Sequence, residues 1–337
     1  LASPIRVVQV QRRPIAGLHY SLERYFAAMR RVMPDDVVVR ARVEPFVSSG
    51  AIRRLGDMAH TAVARGDVVH ITGDIHFVAL TVAKRRCLVT VLDCGLAESP
   101  NRLARTIYRA LWLRWPLRHA GRVVAISAFT AEQVAAFTGL PRQKIDVIPV
   151  SIDDTFTPVP SRDLTGTATV LCFNGGPNKN LRRSIEALRG MDVRLTIVGP
   201  VSDETRASLD GSGLSWMNGD RLTDDRLHQM YEEADVVLFP STYEGFGMPI
   251  VEGQAIGRPV VTSDRAPMNE VAGGAACLVD PDDPQSIRAG VERVLGDADY
   301  RRDLIAKGYE NRERFRPEVA ARAYAEIYRE MVATRRA

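Results

Sequence analysis

Short apolar runs rich in β-branched residues recur twelve times along this 337-residue chain, and helical spacing separates them. Six lie in the first half: "IRVVQV" (5–10), "DVVVRA" (36–41), "GDVVHIT" (66–72), "CLVTVLD" (87–93), "RVVAIS" (122–127) and "KIDVIPV" (144–150). Six more follow: "ATVLCF" (168–173), "DVRLTIVG" (192–199), "LSWMNG" (214–219), "ADVVLFP" (234–240), "RPVVTS" (258–263) and "AACLVD" (275–280). A strand apolar on both sides has to be covered on both faces. Such runs alternating with helices therefore specify parallel sheets clad by helices. Between the two sets, "SIDDTFTPVPSRDLTGT" (151–167) has the prolines and small residues of a linker and no periodicity. The expectation is α/β, with two Rossmann-like doubly wound domains, residues 1–157 and 158–316, facing a cleft. In such sheets ligands bind outside the carboxyl ends of the strands, so the loops after strands are where chemistry belongs.

Composition removes several classes of function. Apolar residues make up 45% and charged residues 26%, a globular balance. No apolar run approaches membrane-spanning length. "LASPIRVVQV" has no basic leader and reads directly into a strand, so a cytoplasmic protein is expected. Cys87, Cys94, Cys172 and Cys277 form no CxxC pair, which predicts reduced thiols and no zinc site. The net charge of +4 is unevenly spread. From Ser99 to Ala131 there is no acidic residue, while Arg102, Arg105, Arg109, Arg114, Arg118 and Arg122 fall there with Tyr108, Trp112 and Trp115. Three readings fit this stretch: a nucleic-acid face, a peripheral contact with an anionic membrane through 99–122, or a solvated helix packed on its own sheet. No nucleic-acid module accompanies it, so no nucleic-acid partner is expected.

Three loops after strands stand out. "NGGPNKN" (174–180) joins Gly175 and Gly176 to a following helix, with Lys179 adding a full charge. Glycines let backbone approach an anion, and a helix N-terminus supplies free N–H groups. The GxxxxGK[ST] spacing is absent, so this is not a P-loop. "STYEGFGMPIVEG" (241–253) has Gly245 and Gly247 in a turn and Pro249 suited to the first position of a helix running to about Ile256. The amides of Phe246, Gly247 and Met248 then form a second anion site. Glu252, in the first turn, could accept from ribose hydroxyls, and Glu244 could reach the other side of the phosphates. Carboxylates on both sides of a phosphate cradle suit a nucleoside diphosphate sugar. Read singly, Glu244 is loop surface and Glu252 complements the helix dipole. "QRRPIAGLHYSLERY" (11–25) offers only Gly17 and no GxGxxG, a loop opening onto the cleft.

Together these residues resemble the retaining GT-B glycosyltransferases of family 4, the glycosyl transferases group 1. The glutamate pair of that family stands as Glu244 and Glu252 in "EGFGMPIVE", within the matching run "ADVVLFPSTYEGFGMPIVEGQAIGRPVVTSDRAPMNEVAGGAACLVDP". "GGPNKN" is similar to the loop that carries a phosphate-binding lysine, here Lys179. The resemblance implies transfer from a UDP- or GDP-linked sugar to a glycan, lipid-linked or small-molecule acceptor. It also implies net retention, no metal and no cofactor. Glu244 would contact hydroxyls of the transferred sugar, and Glu252 the ribose. The backbone of Gly245 to Pro249 would hold sugar and diphosphate, and Lys179 would neutralise the leaving diphosphate beside Gly175 and Gly176. Gly17 would let the first-domain loop close, and Asp93 would contact sugar or acceptor. The loop 216–222 would lie near the base, and a last helix, 317–335, would pack back onto the first domain. Two positions depart from the family. Leu92 precedes Asp93 where many members carry histidine, and Asn174 and Asn178 stand where many carry an arginine. His19, His70 and His76 read as structural histidines. A nucleotide-sugar epimerase on the same fold, or a non-catalytic nucleotide-sugar-binding protein, are the alternatives.

Overall fold

The computed structural model describes residues 3–14, 20–98, 101–160, 164 and 166–336. Gly17 and His19 lie outside the described residues. The chain divides into two units, residues 1–153 with 316–337, and residues 154–315.

The first unit holds a six-stranded parallel sheet: β1 (Ile5–Gln11), β2 (Val37–Val43), β3 (Val68–Thr72), β4 (Cys87–Val91), β5 (Arg122–Ala125) and β6 (Ile145–Val147). Their spatial order is β2-β1-β3-β4-β5-β6. β1 registers Ile5 on Val37 and Val7 on Val68. Every residue of β3 and β4 is buried, as expected of central strands clad on both faces. The carboxyl-terminal helix Pro317–Arg336 belongs to this unit. A buried polar cluster joins it to the sheet. His70 Nδ1 lies 2.8 Å from the Tyr328 hydroxyl, His70 Nε2 lies 2.7 Å from Thr90 Oγ1, and Thr90 Oγ1 lies 2.9 Å from the Tyr324 hydroxyl. His70 is thereby a satisfied core histidine. His76 is also buried, with Nδ1 3.0 Å from the Trp112 carbonyl.

The second unit holds β7 (Ala168–Phe173), β8 (Val193–Val198), β9 (Ser215–Gly219), β10 (Val236–Phe239), β11 (Val260–Ser263) and β12 (Cys277–Val279). They are parallel and ordered β12-β11-β10-β7-β8-β9. β7 and β10 are neighbours, with Val170 on Val236 and Leu171 on Val237, although β8 and β9 come between them in sequence. From β7 the chain moves outward to β8, and from β10 it moves the other way to β11. That reversal opens a crevice outside their carboxyl ends. The core beneath it is one cluster that includes Val170, Leu195, Val236, Leu238 and Val261.

Candidate functional site

The loops after β7 and β10 meet at this crevice and are laced together. Asn180, at φ 60° in the left-handed region that asparagine tolerates, precedes the helix Leu181–Leu188. Its Nδ2 donates to the carbonyls of Pro240 (3.0 Å) and Pro281 (2.6 Å). The Thr242 amide donates to the Asn178 carbonyl at 2.8 Å. Asn178 Nδ2 donates to the Tyr243 carbonyl at 2.9 Å and to Glu244 Oε1 at 3.3 Å. Asn178 therefore fastens one loop to the other.

Lys179 and Glu244 come together within this lacing. Lys179 Nζ donates to Glu244 Oε1 at 2.7 Å and lies 4.9 Å from the centre of the Phe239 ring. Ser241 Oγ also stands 2.7 Å from Glu244 Oε1. All three donors converge on one carboxylate oxygen. The ammonium side chain keeps 24% of its surface exposed, so an arriving anion can reach it. Sequence reasoning assigned the two residues to separate groups of a ligand. It missed Ser241, whose type and position carry no motif.

The turn after Glu244 is set by Phe246 and Gly247. The Phe246 ring is buried edge-to-face on Phe315, with centroids 5.5 Å apart. Gly247 sits at φ +107°, a conformation that costs a side chain heavily, and caps the helix Met248–Ile256. The helix thus begins at Met248, one residue before the expected start, and Pro249 is its second residue. Glu252 is consequently its fifth residue, beyond the first turn, and the dipole reading loses its position. Its side chain is buried, and Oε2 accepts a 2.5 Å hydrogen bond from the Tyr231 hydroxyl. Tyr231 comes from the helix Asp224–Glu233. No local spacing pairs it with Glu252; only the tertiary fold does.

Gly175 and Gly176 border a cavity of about 680 Å³ between the loops after β7 and β8, with Arg182, Ser202 and Glu204 on its walls. Arg183 is turned to Asp282 (3.2 Å) and Asn180, whereas Arg182 is exposed. At Gly199, φ is +112° and a Cβ would run into the Asn174 carbonyl. Gly199→Ala is expected to cost roughly 2 kcal/mol or more and to displace the glycine loop. Denaturant unfolding followed by tryptophan fluorescence checks this. Asp93 stands in the first unit, exposed, with Oδ1 accepting from the Gly95 amide at 2.9 Å. Among the described residues no group of three or more His, Cys, Asp or Glu side chains could hold a metal ion.

Two family models match the chain. Residues 170–311 match the model described as Glycosyl transferases group 1, and residues 19–156 match Glycosyltransferase Family 4. Among solved structures, HepE from Anabaena in complex with UDP and glucose superposes with a TM-score of 0.75. The match has 17% identity and covers 97% of this chain and 100% of that one. Sucrose-phosphate synthase from Thermosynechococcus elongatus gives 0.73 at 17% identity, over 98% and 100%. The chain carries two glycosyltransferase domains on a GT-B fold. Among curated relatives, the O-antigen chain mannosyltransferase B of Escherichia coli is 37% identical over 92 residues, 27% of this chain and 24% of that protein. The D-inositol 3-phosphate glycosyltransferase of Nocardia farcinica is 29% identical over 276 residues, 71% of this chain and 58% of that protein. The matched stretches thus span from a quarter to somewhat over half the length of these relatives. In the GT-B frame, the group 1 match contains the whole Lys179–Glu244 cluster as well as Glu252.

Proposed function

We propose that this protein is a retaining glycosyltransferase that moves a sugar from a nucleoside diphosphate donor to an acceptor hydroxyl. The observation that carries the reading is the Lys179–Glu244 pair at the switch point between β7 and β10. In the transfer the anomeric C–O bond breaks and its electron pair goes to the departing diphosphate. The acceptor oxygen bonds to the same face of the sugar, and its proton passes to the leaving group. Charge develops on the diphosphate, so Lys179 and the amides at the head of the helix Met248–Ile256 lower the barrier there without a metal ion. Glu244 Oε2 accepts from a sugar hydroxyl, and no protein nucleophile is required. Glu252, held by Tyr231, accepts from the ribose. Names among the relatives support a nucleotide-sugar donor and a glycan acceptor: a mannosyltransferase acting on O-antigen, and HepE bound to UDP and glucose.

The test is calorimetry with UDP, GDP, ADP and TDP in the presence of a chelator, followed by NMR of the first product formed. Preference for one nucleotide and a product with the donor's anomeric configuration are expected. Inverted product would overturn retention, and binding that needs a divalent ion would overturn the role given to Lys179. Glu252→Ala is expected to weaken binding of the preferred nucleotide about tenfold to a hundredfold, by removing a charged acceptor. Unchanged affinity would remove the ribose assignment.

A further inference from the structure

The basic stretch of the first unit forms one continuous helical segment: α-helical at Arg102–Tyr108, π-helical at Arg109–Arg114 and α-helical again at Trp115–His119. One side is buried in the core through Leu113, Pro116 and Leu117, with Tyr108 and Trp112 packed against it. A second apolar row remains outside. Leu103 is 70% and Trp115 55% exposed, with Ile107 and Leu111 exposed between them. These four residues stand four apart. In a strict 3.6-residue helix, each step of four drifts by about 40°, which would spread the row around the axis. The wider π turn advances less per residue and takes up that drift. The row therefore stays on one side.

A neighbouring helix carries exposed apolar residues too. Ala51–Ala62 presents Ile52, 86% exposed, and Leu55, also exposed, with Arg53 between them. The two segments border a groove of about 390 Å³ lined by Arg54, Ile107 and Trp112 together with Ser48 and Asp74, whose carboxylate lies 3.5 Å from Arg12 Nη1. Arg54 lies over the Trp112 ring at 4.5 Å. Arg102 and Arg114 are exposed beside the apolar row. A row of exposed apolar residues flanked by arginines suits an interaction surface. A second copy of the chain would bring arginine rows against each other. Single-stranded nucleic acid would use stacking aromatics, whereas most of this row is aliphatic.

The geometry points to this face as one that lies on an anionic lipid bilayer. Leu103, Ile107, Leu111 and Trp115 enter the headgroup boundary, while Arg53, Arg102 and Arg114 meet lipid phosphates. Apolar burial and basic charge act together in such contacts, and each alone is weak. Among the described residues no helix is long and apolar enough to cross a membrane, so the contact is peripheral.

The experiment is flotation of the full chain with vesicles of phosphatidylcholine, alone or mixed with phosphatidylglycerol, at low and high salt. Binding only to the mixed vesicles, weakening with salt, is expected. Leu103→Ser with Trp115→Ser, and separately Arg102→Glu with Arg114→Glu, should each lower the partition about tenfold or more. Circular dichroism of both variants should match the parent, since all four side chains are exposed. Absence of binding to the mixed vesicles, or variants that bind as well as the parent, would overturn the proposal. So would a concentration-dependent dimer that both variants dissociate, because the face would then belong to a second copy. The readout involves neither donor nor turnover, so its failure leaves the transferase reading standing, and the reverse holds too.

Discussion

Lys179→Met is expected to lower turnover roughly 10²- to 10³-fold, the usual cost of removing one fixed group that stabilises developing charge. Methionine keeps the apolar stem of the side chain, to within one atom of its length, and removes the cation. Affinity for the intact nucleotide-sugar donor should fall as well, but less than turnover, because the charge on the diphosphate grows as the bond breaks. The fold should survive. Lys179 and Glu244 are both partly exposed, and Glu244 Oε1 retains Ser241 Oγ at 2.7 Å and Asn178 Nδ2 at 3.3 Å. Pairs of this kind contribute on the order of 1 kcal/mol or less. Glu244→Gln is the companion. It keeps an acceptor for Ser241 and Asn178 and removes the charge facing Lys179, so nucleotide should bind as well or better while transfer slows. Single-turnover kinetics beside calorimetry separates the two effects. Loss of donor affinity with turnover unchanged in Lys179→Met would show a residue that only binds. Unchanged turnover would remove Lys179 from the mechanism.

Much of this arrangement is legible in the residues, for a local reason. The runs at 168–173 and 234–240 announce β7 and β10 because strands covered on both faces have to be apolar throughout. Gly245 and Gly247 around a buried Phe246 announce the sharp turn, and Lys179 announces a charge in a glycine loop. What fails locally is direction. Glu252 reads as a first-turn carboxylate because Pro249 suits the first helical position. The left-handed Gly247 starts the helix one residue sooner, and the glutamate turns inward to Tyr231. The basic stretch fails similarly. Its composition fits a solvated helix and a membrane face equally well. Which apolar residues stay outside depends on a π-helical turn at Arg109–Arg114 that no periodicity announces. Pairings such as His70 with Tyr328, 258 residues apart, are set by tertiary topology alone.

That last pairing makes the first unit sensitive to mild acid. His70 is fully buried, and desolvation pulls its pKa down to about 3. One ring nitrogen donates and the other accepts within the Tyr328–His70–Thr90–Tyr324 chain, so the neutral ring fits the site and the imidazolium does not. Burial also holds the Tyr324 hydroxyl protonated, at about 12. Above about pH 6.5 the ring is neutral in both the folded and the unfolded chain, and it adds no pH dependence. Below that, the unfolded chain takes up a proton that the folded unit refuses. Stability then falls by up to about 1.4 kcal/mol per pH unit until the folded pKa is reached. His76, lowered chiefly by burial, acts in the same direction. Asp36 and Asp67 are held low by arginine and backbone partners and lose stability only in the carboxylate range. Glu44, raised chiefly by burial, has the opposite sign, and its effect also belongs nearer that range. The interval from pH 6.5 to 5 therefore belongs mainly to the histidines. Between those limits the first unit should lose about 1.6 kcal/mol from His70 alone, a fall in Tm of roughly 3–7 °C. His70→Gln removes the titration while keeping a donor and an acceptor, so its Tm should be lower at pH 7 but fall less on acidification. Calorimetric scans of both proteins at several pH values decide the matter: parallel slopes would mean that a group other than His70 sets the acid limit.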